Sequence, residues 1–153
     1  MIKIATFRDV KEGEYDYVYA IVRSMKSSSD WIYQLEELSP SPELYKKTMT
    51  MKDNKIWDQE TFDSVYVPQF LREMHSKDAR EQLNGLAALD KRFHRKIALV
   101  CYCTEEETCH RCIIAGLLKG AGCDVVTKTG NDYSKYFDMY KRMVPKKKEV
   151  ENA

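Results

Sequence analysis

Nowhere in this chain of 153 residues do eighteen apolar residues stand in a row, so no membrane-spanning helix is expected. The opening stretch, MIKIATFRDVKEGEYD, holds no apolar run of signal-sequence length. Glycine (6) and proline (4) are scarce, which excludes collagen-like and low-complexity classes. Net charge is +1, so no field over the whole surface draws the chain to nucleic acid or to a membrane. There is no glycine-rich phosphate loop, and no Ser–His–Asp set follows from the spacing. The cysteines number five, an odd count. With no signal sequence they read as reduced thiols of a cytoplasmic protein, not as a disulfide framework.

What is present is an ordinary globular composition, 43% hydrophobic and 32% charged, in a length that suits one domain with a core. The expected organisation is a single domain over 1–144 and a polar tail over 145–153. The basic run Lys146, Lys147, Lys148 reads as solvated tail. Tyrosine (10) outnumbers phenylalanine (5) and tryptophan (2). A tyrosine-lined cleft would suit that bias, since tyrosine buries its ring and keeps a wet hydroxyl.

Two strands are expected early, at 2–7 and 15–22, the second rich in β-branched and aromatic residues. Between them VKEGE reads as a turn centred on Gly13. Ser29 or Asp30 can cap a short helix starting near Trp31. Ser41 followed by Pro42 starts another helix. A third opens at Asp58 or Thr61 and carries Phe62, Val65, Tyr66, Gln69 and Phe70 on one face; Pro68 should kink or divide it. A helix over 77–93 precedes KIALVCY at 96–102, a near-continuous apolar run that suits a central strand buried on both faces. A helix over 109–119 closed by Gly120 or Gly122, a short strand in CDVVTK and a tyrosine-rich helix over 132–143 complete the chain. The order implies an α/β fold: a small three-layer domain with a mainly parallel sheet of about four strands flanked by helices.

Four of the five cysteines fall within twelve residues, in LVCYCTEEETCHRCI. Cys101 and Cys103 share one face of the strand. Thr104 with Glu107 makes a capping box, but Thr108 as N-cap leaves a more comfortable loop and puts Cys109, His110 and Arg111 in the first helical turn. Free backbone N–H groups, His110 and Arg111 would then form an anion site and lower the Cys109 thiol pKa, with Glu105, Glu106 and Glu107 opposing both effects. Cys109, Cys112, Ile113, Gly116 and Leu117 also form a helical core stripe, so Cys112 reads as core, as does Cys123, while Cys109 fits packing and function alike. A four-thiolate zinc knuckle of Cys101, Cys103, Cys109 and Cys112 is a third use of the same residues. His75 and His94 read as surface, and Trp31 and Trp57 as packing anchors.

The Cys101 strand, the acidic loop and the Cys109-His110-Arg111 helix start resemble the domain of unknown function 488 family. LSPSPEL, with Trp57, Phe62 and Tyr66 further on, is similar to a second family segment. Arg23 matches the arginine of the family's early strand, with Val22 where members often carry Asp, and Gln69 stands where Glu often follows the Tyr. The resemblance spans roughly 15–126. It implies one α/β domain with a site at the Cys-His-Arg helix start, and no reaction.

The function therefore has to come from the residues. The expectation is an anion site at the C-terminal end of the central strand, for phosphate, a nucleotide or a nucleic-acid fragment. Arg23 and Arg111 would hold the ligand, Tyr66, Cys101 and Cys103 would line the site, and Cys109 and His110 are the catalytic candidates. The Cys-x₅-Arg loop of tyrosine phosphatases is absent. No metal or cofactor and no membrane partner enters this reading. The alternatives are a binding module without chemistry and a zinc-stabilised interaction domain.

Overall fold

The structure, a computed structural model, describes residues 1–26 and 29–143. The expected tail, with its lysine run, lies outside the described residues. Five parallel strands form one sheet in the order β3-β2-β4-β1-β5: β1 (Ile2–Thr6), β2 (Tyr17–Ala20), β3 (Ile32–Gln34), β4 (Ile97–Cys101) and β5 (Val125–Val126). The helices are α1 (Pro42–Asp53), α2 (Gln59–Thr61), α3 (Val67–Glu73), α4 (Lys77–Lys91), α5 (His110–Gly120) and α6 (Lys135–Arg142). The architecture is the expected three-layer α/β fold, with one strand more than expected.

β4 sits third in the sheet and all five of its residues are buried, as its unbroken apolar run requires. Ile97 pairs with Ile2 and Tyr17, and Cys101 with Thr6, so the strand's C-terminal end opens between β1 and β2. The additional strand is β3, where the sequence suggests a helix near Trp31. Those residues pair instead with β2: Val18 aligns with Ile32 and Ala20 with Gln34, and the Gln34 amide donates to the carbonyls of Val22 and Arg23. The pairing gives three short residues backbone partners that an isolated helical turn could not supply.

Ser41 caps α1 by accepting from the Leu44 N–H at 3.1 Å, with Pro42 in the first turn. Asp58 caps α2. The expected break at Pro68 takes the form of a π-helical turn over Phe62–Tyr66, between α2 and α3. Proline cannot donate to the carbonyl four residues back and crowds it, and a wider turn just before it relieves both defects. The helix axis therefore continues, and Phe62, Tyr66 and Phe70 stay stacked along one face, 5.1 and 5.8 Å apart. Trp57 packs edge-on against Phe62 and Tyr66.

α5 ends in a Schellman motif. Gly122, at φ +93°, donates to the Lys119 carbonyl and Cys123 to that of Leu118. Its glycines admit α6: a Cβ on Gly116 would stand 2.0 Å from the Tyr133 carbonyl oxygen, and one on Gly120 would meet the Phe137 ring. His75, expected at the surface, is half-buried, its ring stacked at 3.8 Å on Tyr140; His94 is exposed as expected.

Glu106 is the one buried carboxylate of the acidic loop. It accepts from the N–H of Lys128 and of Thr129, from the Thr129 hydroxyl at 2.6 Å and from the Tyr133 hydroxyl at 2.7 Å. Burial opposes ionisation, but these donors together hold its carboxyl below the ordinary range.

Three substitutions test this packing. Gly116→Ala should cost about 1–3 kcal/mol by forcing α6 away, whereas Gly85→Ala, in open space within α4, should stabilise by roughly 0.5–1 kcal/mol in denaturant titrations. Glu106→Gln should lose about 1–3 kcal/mol at neutral pH. A depressed carboxyl stabilises the fold above its unfolded pKa and loses that contribution as pH falls through the folded one, so the gap between variant and wild type should close in acid.

Candidate functional site

At the C-terminal end of β4 the backbone leaves the sheet and returns through a 3₁₀ turn, Glu106–Thr108, to the start of α5. The N-cap is Cys109, not Thr108. Anchoring of Glu106 winds Thr108 into the turn and leaves Cys109 extended, at φ −121° and ψ 145°. An N-cap side chain in that conformation points back across the helix end. The Cys109 sulfur accordingly lies 3.5 Å from that of Cys101. Cys103 completes the group: all three sulfurs lie within 4.8 Å of one another. Cys112 is elsewhere, its thiol 3.9 Å from the Glu107 carbonyl, so the four-thiolate knuckle is not assembled. Cys112 and Cys123 are buried in the core, as expected.

Arg111 and His110, one helical turn deep, are both buried. Arg111 is 2% exposed. Its Nη1 donates to the Cys103 carbonyl and, at 3.6 Å, to the Cys109 sulfur; its Nη2 donates to the Thr104 carbonyl at 3.3 Å. Its Nε has no partner. Three ion pairs occur among the described residues and none includes Arg111. An uncompensated buried charge costs several kcal/mol, and the sulfurs are the groups beside it that can ionise to meet it.

His110 Nε2 is 2.6 Å from the Ile21 carbonyl oxygen, which can only accept. The ring proton therefore sits on Nε2, and Nδ1 is left as an acceptor 3.7 Å from the Cys109 sulfur. Burial lowers the His110 pKa, which keeps the ring neutral. The three thiols titrate as a set. Hydrogen bonding from Cys101 and then Cys109 holds the Cys103 thiol far below the ordinary range, with the Lys52 charge also lowering it. Donating to Cys103 pushes Cys101 up, and burial pushes Cys109 up. The expected lowering of Cys109 by the helix start is thus reversed, because its sulfur is sealed from water.

Tyr66 stands behind the thiols. Burial first, then the charges of Cys109, Cys103 and Cys101, raise its hydroxyl pKa. Phe70 meets the His110 ring at 5.6 Å, so the stacked aromatic face of α3 is the back wall of the site. Arg23 is not brought to it. It is exposed, donates to the Pro40 carbonyl at 3.2 Å and borders a shallow depression with Glu36, Glu37, Glu73 and Asp78. Two features escape the sequence. Lys52, at the end of α1, acts on Cys103 from a segment fifty residues away, with no local signal to mark it. The anchoring of Glu106 away from the helix start is legible only from its partners across the chain.

The family model described as the Active DUF488-N3 subclade matches residues 13–122. The chain belongs to the DUF488 family. The match runs from the turn before β2 to the end of α5 and takes in the three thiols, His110, Arg111, Tyr66 and Arg23. No curated protein and no solved structure matches the chain. In this DUF488 domain, three sulfurs in one cluster form a donor set able to hold a metal ion. No helix among the described residues is long and apolar enough to cross a membrane.

Cys103 is the one cysteine of five that is not buried. Iodoacetamide on the native protein should therefore label Cys103 first and leave the other four thiols until denaturant is added, as read by peptide mass spectrometry. Early labelling at Cys109 would contradict the burial described here.

Proposed function

We propose that this DUF488 domain is a small thiol-dependent enzyme that acts on an anionic substrate, phosphate- or nucleotide-like, with Cys103 as its nucleophile. The observation that carries this reading is the buried Arg111 guanidinium, which has thiols and carbonyls around it and no carboxylate. Such a charge favours a sulfur held as thiolate. Cys103 is the sulfur that solvent reaches, so it takes the nucleophilic part first expected of Cys109. Cys109 donates to Cys101, and its sulfur lies 3.7 Å from His110 Nδ1, so the thiols beside Cys103 and the neutral imidazole form a polar wall around it.

Arg111 is a positioning residue, since it fixes the Cys103 and Thr104 carbonyls. Lys52 and the start of α5 supply positive potential toward an anion. Attack forms a bond from sulfur to the electrophilic centre. The leaving group departs with its bonding pair and takes a proton from water at the open Cys103 side. Water then cleaves the adduct, restoring the thiolate and releasing a proton to solvent. Cytoplasmic location belongs to the same proposal, because a reducing compartment keeps three adjacent thiols apart.

Alkylation of Cys103 by iodoacetamide, followed with and without orthophosphate or adenosine monophosphate, tests the reading. A bound anion at ten times its Kd should slow labelling about tenfold, and Lys52→Ala should weaken that protection. Rapid labelling that neither anion slows at millimolar concentration would sink the anionic substrate. A Cys103 no faster than free cysteine would sink the nucleophile and leave a binding module.

A further inference from the structure

The spacing of the three sulfurs points to a second use of the cluster, carried by geometry and independent of whether Cys103 attacks a substrate. We propose that Cys101, Cys103 and Cys109 form a three-thiolate site for a thiophilic cation of the zinc, cadmium and copper(I) class. Tetrahedral zinc with sulfur ligands about 2.3 Å away needs those sulfurs about 3.8 Å apart. Here Cys101 and Cys109 stand 3.5 Å apart, and no pair in the cluster exceeds 4.8 Å. The sulfurs thus lie within about 1 Å of ligand spacing.

The scaffold holding them is rigid. Cys101 closes a fully buried central strand, Cys109 caps a helix, and the backbone of Cys103 is held by Arg111 through its carbonyl. These contacts do for sulfur what outer hydrogen bonds do for the ligands of established metal sites.

Charge fits as well. Three thiolates around a divalent cation carry one net negative charge, and Arg111 supplies one positive charge within 3.6 Å of the Cys109 sulfur. Its buried Nε has no partner among the described residues, so the guanidinium's charge is not fully met by the carbonyls. Among the described residues no fourth donor lies within 4.8 Å of all three sulfurs: Cys112 is turned to the Glu107 carbonyl, and His110 Nδ1 is near Cys109 alone. A fourth position would be left to water or a small ligand, and Cys103 is the cluster member that is not buried. A three-ligand cation with an open position is the pattern of reactive rather than purely structural zinc.

The test is titration of the full-length, reduced, metal-free protein with Cd²⁺, read by the sulfur-to-metal absorption band and by native mass spectrometry. The expected result is one ion per chain, with a band intensity of three thiolates. Cys112→Ser and Cys123→Ser should leave the endpoint unchanged. Cys101→Ser, Cys103→Ser and Cys109→Ser should each reduce the band, and Arg111→Lys should weaken Cd²⁺ affinity by roughly tenfold. Absence of a band in the wild-type protein at one equivalent, which needs no variant, would overturn the site. So would a band that survives Cys101→Ser unchanged. Labelling of Cys103 in the metal-free protein is read separately, so failure of the nucleophile and failure of the cation site give different results.

Discussion

A positive charge sits inside this protein with no carboxylate to meet it. Arg111 is buried at the first turn of α5, and its donors reach two carbonyls and a sulfur. The surrounding structure follows from that charge. The chain between β4 and α5 curls so that the Cys103 and Thr104 carbonyls face the guanidinium. The cysteines crowd beside it, since thiols can be packed as small hydrophobes and still release a proton. Aliphatic residues in their place would leave the charge without an ionisable neighbour.

That local arrangement depends on distant anchors. Glu106 belongs to the loop that supplies the arginine's Cys103 and Thr104 carbonyls. It is drawn to Lys128, Thr129 and Tyr133, where four donors satisfy it. The segment supplying those donors follows β5 and leads into α6, and α6 packs against α5 because Gly116 and Gly120 present no Cβ. The glycines of α5 thus contribute to the site indirectly: they seat the helix into which the segment holding Glu106 leads. On the other side, the aromatic face carried through the π turn into α3 closes the cluster from behind.

The two uses proposed for the three thiols share a physical requirement. Both uses need deprotonated sulfur, and both need a fixed positive charge nearby to make deprotonation inexpensive in a dry environment. Which sulfur is exposed then matters more than which residue begins the helix. Cys103 lies in an irregular stretch and has no motif of its own, yet it is the member of the cluster that solvent meets.

Much of the fold could be read from local chemistry alone. The apolar run of β4, the Ser41–Pro42 helix start, the aromatic face of 62–70 and the glycine stop after α5 each rest on backbone or side-chain preferences within a few residues. The gathering of chemistry around Cys-His-Arg was legible for the same reason, because strand alternation aligns Cys101 with Cys103 and a helix start puts the next cysteine close by. What tertiary structure decided were choices between nearly equal local options. Pairing with β2 made a strand of Ile32–Gln34. The anchoring of Glu106 moved the cap from Thr108 to Cys109. Burial raised one thiol and left another reachable, and Arg23 turned to Pro40 instead of the cluster. Each of these outcomes depends on partners dozens of residues away, and proton affinity and access to water are set by that assembled surrounding, which the order of residues along the chain does not contain.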